Sequence, residues 1–170
     1  MSIYYLRGAA LAVALIGAAP AFAQTSEPMT SRALLLEPLT LTKLSDLDFG
    51  SIVPSGSGDL VTINADTGAR TSPTAGLLAV DPGFRARFAS SGSNNNFIVL
   101  QISPPTDLTD VAGNTLAVTR LDLDQGGNPL RTLTPESQVF FVGIGGQVFV
   151  RANQPEGSYS GTFTLTANYL

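Results

Sequence analysis

From residue 159 the chain alternates without a break. Tyr159, Gly161, Phe163, Leu165, Ala167 and Tyr169 fall on one parity, and Ser160, Thr162, Thr164, Thr166 and Asn168 on the other. Successive side chains of an extended strand point to opposite faces, so one face of this segment is apolar and the other carries hydroxyls and an amide. Residues 159–169 therefore read as one strand over a core. Burial of Phe163 and Leu165 contributes roughly 1.5–3 kcal/mol each.

The same period recurs upstream. Leu39–Leu41, Leu47–Phe49, Leu60–Ile63, Phe84–Phe88, Leu116–Leu121, Val139–Val142 and Val148–Val150 all read as strands. Phe97–Ile102 is apolar on both parities, the pattern of a strand covered on both faces. Between them lie Pro54–Gly56, Asp81–Gly83, Ser91–Asn96, Pro104–Pro105, Gly126–Pro129, Gly145–Gly146 and Asn153–Gly157. These clusters supply the positive or fixed φ that turns require. Helical periodicity is hard to find after residue 24, whereas strand periodicity is frequent. Such spacing predicts an all-β chain, an immunoglobulin-like β-sandwich of about seven to nine strands, with a closed barrel as the alternative.

The N-terminus has a different grammar. A short start containing Arg7 precedes an uncharged run, Ala9–Ala19, and then Pro20-Ala21-Phe22-Ala23. This is the three-part pattern of a secretory signal peptide, with cleavage expected between Ala23 and Gln24. The apolar run is too short for a transmembrane anchor, which needs about 18–20 residues. The expected organisation is a signal peptide over 1–23, an N-terminal arm or first strand over 24–37, and the sandwich over 38–170. The expected location is beyond the inner membrane: periplasm, cell surface or extracellular space.

With the leader removed, eight basic residues face thirteen acidic ones, and Lys43 is the one lysine. Clustered Lys and Arg for nucleic acid or anionic lipid are missing, so no nucleic-acid partner is expected. The chain has no Cys. An exported domain of this size must then take its stability from packing or from a partner rather than from disulfides. It has no His either. Ser-His-Asp and Cys-His catalysis and His- or Cys-ligated metals are thereby removed, and neither a catalytic site nor a cofactor nor a metal is predicted.

The remaining candidates for chemistry have plainer readings. Asp46 and Asp48 share a face of an extended segment, as paired carboxylates would, but alternation with Leu47 and Phe49 already accounts for them. Asp122-Leu-Asp124-Gln-Gly-Gly-Asn128 loosely follows a calcium loop without the closing glutamate, and serves equally as a hairpin turn. Gly143-Ile-Gly145-Gly146 opens no helix and so forms no phosphate cradle.

Three stretches, Leu47–Pro54, Asp66–Arg70 and Ala152–Tyr169, resemble a family of small secreted bacterial proteins catalogued as a domain of unknown function. The ending is also similar to that of chaperone–usher pilins and spore-coat-U-like proteins: Tyr169 stands where those pilins carry a penultimate tyrosine, Gly157 at their glycine, and Phe163, Leu165 and Ala167 on their apolar ladder. The resemblance implies an incomplete immunoglobulin-like fold. Its missing strand would come from a periplasmic chaperone and then from the arm of an identical or related subunit. Gly157, Tyr159, Phe163, Leu165, Ala167 and Tyr169 would form the strand-pairing surface, and Ala33, Leu34, Leu35 and Leu36 the donor arm. Alternatively, 33–49 is one bent strand, with Pro38 at an edge or bulge, that closes the fold within the chain.

Two function classes follow: a non-catalytic, pilin-like structural or surface-assembly subunit, or a self-complete secreted binding module, carbohydrate being one ligand class. The second is poorly supplied with aromatic platforms, since Trp is absent and Tyr159 and Tyr169 are the only tyrosines after the leader.

Overall fold

In the computed structural model, residues 26–54, 56–73 and 81–170 are described. The expected signal peptide and its expected cleavage point, between Ala23 and Gln24, lie outside them. The chain divides into two compact units, 1–34 and 35–170. Of the first, residues 26–34 are described; they form no strand and are exposed. No helix among the described residues is long and apolar enough to cross a membrane.

The second unit is all-β. Its strands are β1 (Thr40–Ser45), β2 (Asp59–Ile63), β3 (Arg70–Thr71), β4 (Ala86–Ser91), β5 (Phe97–Ile102), β6 (Leu108–Thr109), β7 (Thr115–Leu123), β8 (Leu130–Thr132), β9 (Val139–Val150) and β10 (Leu165–Tyr169). All named pairings are antiparallel. The larger sheet runs β1-β4-β9-β2-β3, with β7 on β9 and β6 on β7, and the smaller runs β10-β5-β8. The two-sheet sandwich agrees with the alternating sequence. The strand total among the described residues is ten. It exceeds the expected number because β3, β6 and β8 are two or three residues long and too short to leave a period.

β9 organises both halves. Val142 and Ile144 lie in one core cluster with Ala86, Ile98, Leu100, Leu123, Leu133 and Leu165. Val148 and Val150 lie in a second with Phe49, Val61, Ile63 and Leu116. Ile144 pairs with Ala86 on one edge and Leu123 on the other, while Gly146 pairs with Ile63 and Leu121. Thus β4 and β2 follow one another along a single edge of β9, and the chain leaving β2 crosses the strand at the changeover. Cβ atoms on Gly143 and Gly145 would lie 2.4 Å from the Ala65 carbonyl oxygen and 2.2 Å from that of Ile63. The glycine run read as a turn at Gly145–Gly146 is therefore the middle of one twelve-residue strand, bare because another backbone lies on it.

A second expectation is also corrected. β5 is central in its sheet but covered on one face: Ile98 and Leu100 are buried while Phe97 is 58% exposed.

The loop weighed as a calcium site is occupied by protein. Asp124 accepts from Arg131 Nη2 at 2.5 Å and from the Gly143 N–H at 2.8 Å. Asp122 pairs with Arg120 at 2.9 Å. Among the described residues no group of three His, Cys, Asp or Glu side chains could hold a metal ion.

Candidate functional site: a groove beside the C-terminal segment

The C-terminal alternation survives in burial but not as one strand. Leu165 is buried and Phe163, Ala167 and Tyr169 are half-buried, with exposed residues between. Only 165–169 is β10, paired with β5 from Leu165–Ile102 to Tyr169–Ile98. Upstream, Ser160 exchanges two 2.9 Å backbone hydrogen bonds with Thr109 of β6. The segment thus passes from the neighbourhood of one sheet to the other. At the join, the Ser103 N–H donates to the Thr164 carbonyl (2.9 Å) and the Thr164 N–H to Ser103 Oγ (3.0 Å).

This bend leaves an open edge. The backbone groups of Ser160 and Thr164, together with the Thr162 carbonyl (which accepts from Thr106 Oγ1), turn toward residues 103–109. Alternate residues of an extended chain direct their polar backbone groups to opposite edges. The N–H and C=O groups of Gly161 and Phe163 accordingly face the other way, and take no hydrogen-bond partner among the described residues.

Beside that edge lies a groove of about 1180 Å³. One bank is 45–54, the chain beyond β1, and the other is 154–163. Leu108, Leu116 and Val118 line the groove between them, flanked by Leu47, Phe49 and Ile52 on one side and Tyr159 and Phe163 on the other. The first bank is held by mutual 2.9 Å hydrogen bonds between Asp48 and Phe84. Gly50, at φ +70°, turns it. Arg70 Nη1 donates to the carbonyls of Phe49 and Ser51, both at 2.9 Å. Asp46 and Asp48 both line the groove, but Asp46 pairs with Lys43 at 2.6 Å and Asp48 accepts from the Gly50 N–H at 2.7 Å. Their carboxylates serve this bank's own turn.

The second bank is braced by a polar chain. A backbone carbonyl can only accept. The Thr115 carbonyl therefore fixes Gln154 Nε2 as the donor, at 2.9 Å. The same Nε2 donates to Tyr159 Oη (3.0 Å), which donates to the Pro155 carbonyl (2.8 Å). Gly157 is where the Asp110 turn comes close: a Cβ there would lie 2.9 Å from Asp110 Oδ2. The Asn114 side-chain amide holds the Asp110 carboxyl below its ordinary range, helped by the N–H groups of Asn114, Ala112 and Gly113 and opposed by desolvation. A lowered carboxyl pKa adds stability that is present above the unfolded value and is lost as pH falls through the folded one. Asn114→Ala should raise the Asp110 pKa toward the ordinary carboxyl range, read by carboxyl-carbon NMR titration.

Tyr159 and Tyr169 share no exposed aromatic face. Tyr159 packs on the second core cluster and Tyr169 on the first. Tyr169 Oη accepts the Ser93 N–H (2.6 Å) and donates to the Glu37 carbonyl (2.9 Å), a tie that alternation could not foretell. Of the predicted arm, Leu34 and Leu35 are 79% and 88% exposed, and no strand among the described residues begins before Thr40. The reading of 33–49 as one closing strand is therefore corrected: the segment before Pro38 is outside the sheets. Sequence reading misses the opposite bank, 45–54, because its turn depends on Gly50 and on a distant arginine.

The family model that matches residues 39–169 is described as a domain of unknown function, DUF4402. The chain belongs to the DUF4402 family. The match begins beside β1 and ends at Tyr169, so it takes in both banks of the groove and leaves out the exposed run 33–36. Neither the curated proteins nor the solved structures contain a match to this DUF4402 chain.

Proposed function

We propose that the protein is an exported, non-catalytic structural subunit that assembles at the cell surface or in the periplasm by β-strand addition. The occupant of the groove is an extended segment of a second copy, the run Ala33–Leu36. The observation that carries this reading is the pair of unpartnered backbone positions, Gly161 and Phe163, along a groove with apolar side chains on both banks. An added strand would satisfy those groups by main-chain hydrogen bonds, and its alternate side chains would find pockets over the groove floor. The chain itself carries a matching segment: four apolar residues that no strand of its own fold uses. Adjacent side chains of an added strand face opposite ways, so either Leu35 with Ala33 or Leu34 with Leu36 enters the groove, each seated leucine contributing about 1.5–3 kcal/mol. The similarity of the C-terminal ladder to that of pilins points the same way, and there a periplasmic chaperone would hold the groove before assembly.

The test uses residues 24–170. Sedimentation velocity should show concentration-dependent association that Leu34→Asp with Leu35→Asp abolishes. Because both side chains are exposed in the single chain, its stability should stay within about 0.5 kcal/mol. A protein of residues 24–170 that stays monomeric at every concentration, or one that still associates with 24–37 deleted, contradicts the reading.

A further inference from the structure

Three stretches of chain meet at one hydroxyl. Tyr169 Oη takes the Ser93 N–H and gives its proton to the Glu37 carbonyl, and the Glu37 N–H in turn donates to Ser93 Oγ at 2.6 Å. The fit is close: a Cβ on Gly92 would lie 2.1 Å from Tyr169 Oη and 3.0 Å from Leu39 Cδ1. Glu37 is thereby fastened at the C-terminal end of β10, before β1 begins.

The groove lies at the other end of those strands, where its lining starts with Ser45 and Phe163. Ser45 is eight residues beyond Glu37 in the chain. At the rise of an extended strand that distance is roughly 26 Å. Ala33 is only four residues before Glu37. Four residues of fully extended chain span at most about 14 Å. While Glu37 is held, none of Ala33–Leu36 can reach the groove of its own chain. Only the polar stretch with Met29 is long enough.

We infer that the Tyr169–Glu37–Ser93 clasp is a device that directs the apolar arm to another copy, by fixing the arm's root beyond reach of its own groove. This rests on the strand-addition reading above. Tyr169 acts here as a positioning residue. Its release would move the first fixed point to Leu39, which packs against the first core cluster beside Thr40, itself tied to Ser91. Ala33 lies six residues back from Leu39, and Ser45 six residues ahead of it. Six extended residues reach about 20 Å, enough to match the span of the six that lead to the groove.

The absence of native cysteine makes a direct test possible. Ala33→Cys and Thr162→Cys are combined in residues 24–170, oxidised, and resolved by non-reducing electrophoresis and mass spectrometry. With the clasp intact the disulfides should join different chains. Adding Tyr169→Phe should reduce that product and bring in a disulfide within one chain, and Ser93→Ala should shift the ratio in the same direction. Circular dichroism of each variant establishes that it folds. A disulfide within one chain when the clasp is intact overturns the inference, as does a product ratio that neither substitution changes; the strand-addition reading survives both results. No disulfide of either kind overturns strand addition and the clasp's role with it.

Discussion

Asp124→Ala should destabilise the domain by about 3–5 kcal/mol, the cost of removing one partner from a buried ion pair. Arg131 is a core residue, its side chain 3% exposed, and Asp124 is 15% exposed. The guanidinium also donates from Nη1 to the carbonyls of Asn128 and Leu130 (2.5 and 2.9 Å), while its Nε has no partner among the described residues. Removing the carboxylate leaves a buried charge without a counter-ion and strips the Gly143 N–H of its acceptor as well. The urea midpoint should fall steeply, with the slope little changed. Arg131→Met combined with Asp124→Leu should recover much of the loss, since an apolar pair of similar volume often replaces a buried ion pair at little cost. A single Asp124→Ala within about 1 kcal/mol of the parent would show that the pair is not desolvated as the packing implies.

The second large effect belongs to Gly145. Its added Cβ would lie 2.2 Å from the Ile63 carbonyl oxygen, 2.5 Å from the Ala65 nitrogen and 2.9 Å from the Asn64 carbonyl carbon. All three are backbone atoms, so no rotamer can relieve the clash. Either β2 shifts along β9 or the corner at 63–65 lifts, and each weakens the packing of Val61 and Ile63, both fully buried. Gly145→Ala should cost about 3 kcal/mol, at the upper end of overpacking, measured by thermal unfolding. Gly113→Ala is the contrast. That glycine has φ +84° with open space around it. Its substitution should cost only about 1–2 kcal/mol, the penalty of a side chain on left-handed backbone.

These positions show how far sequence reasoning reaches. The alternation of Phe84–Phe88 and Leu60–Ile63 is legible because one face of each is buried, and burial imposes a period of two on composition. The same alternation places Phe163, Leu165, Ala167 and Tyr169 on one face. It cannot show that the strand bends at Thr164, since a change of hydrogen-bonding partner leaves side-chain parity intact. Gly143–Gly146 misleads for a related reason: a glycine that turns the chain and one that admits another backbone are the same letter. Asp122 and Asp124 resemble metal ligands in sequence because sequence shows carboxylates but not the arginines that meet them. The groove is half legible. The bank at 154–163 carries the ladder, whereas the bank at 45–54 is set by Gly50 and Arg70, twenty residues apart.

Amide hydrogen exchange at Gly161 and Phe163 tests strand addition most directly. In dilute protein of residues 24–170 both amides should exchange nearly as fast as in an unstructured peptide, because neither has an acceptor among the described residues. At concentrations where the protein associates, both should become protected together, and Leu34→Asp with Leu35→Asp should remove the protection. Association that leaves both amides exchanging at the dilute rate would contradict the account and place the contact elsewhere on the molecule.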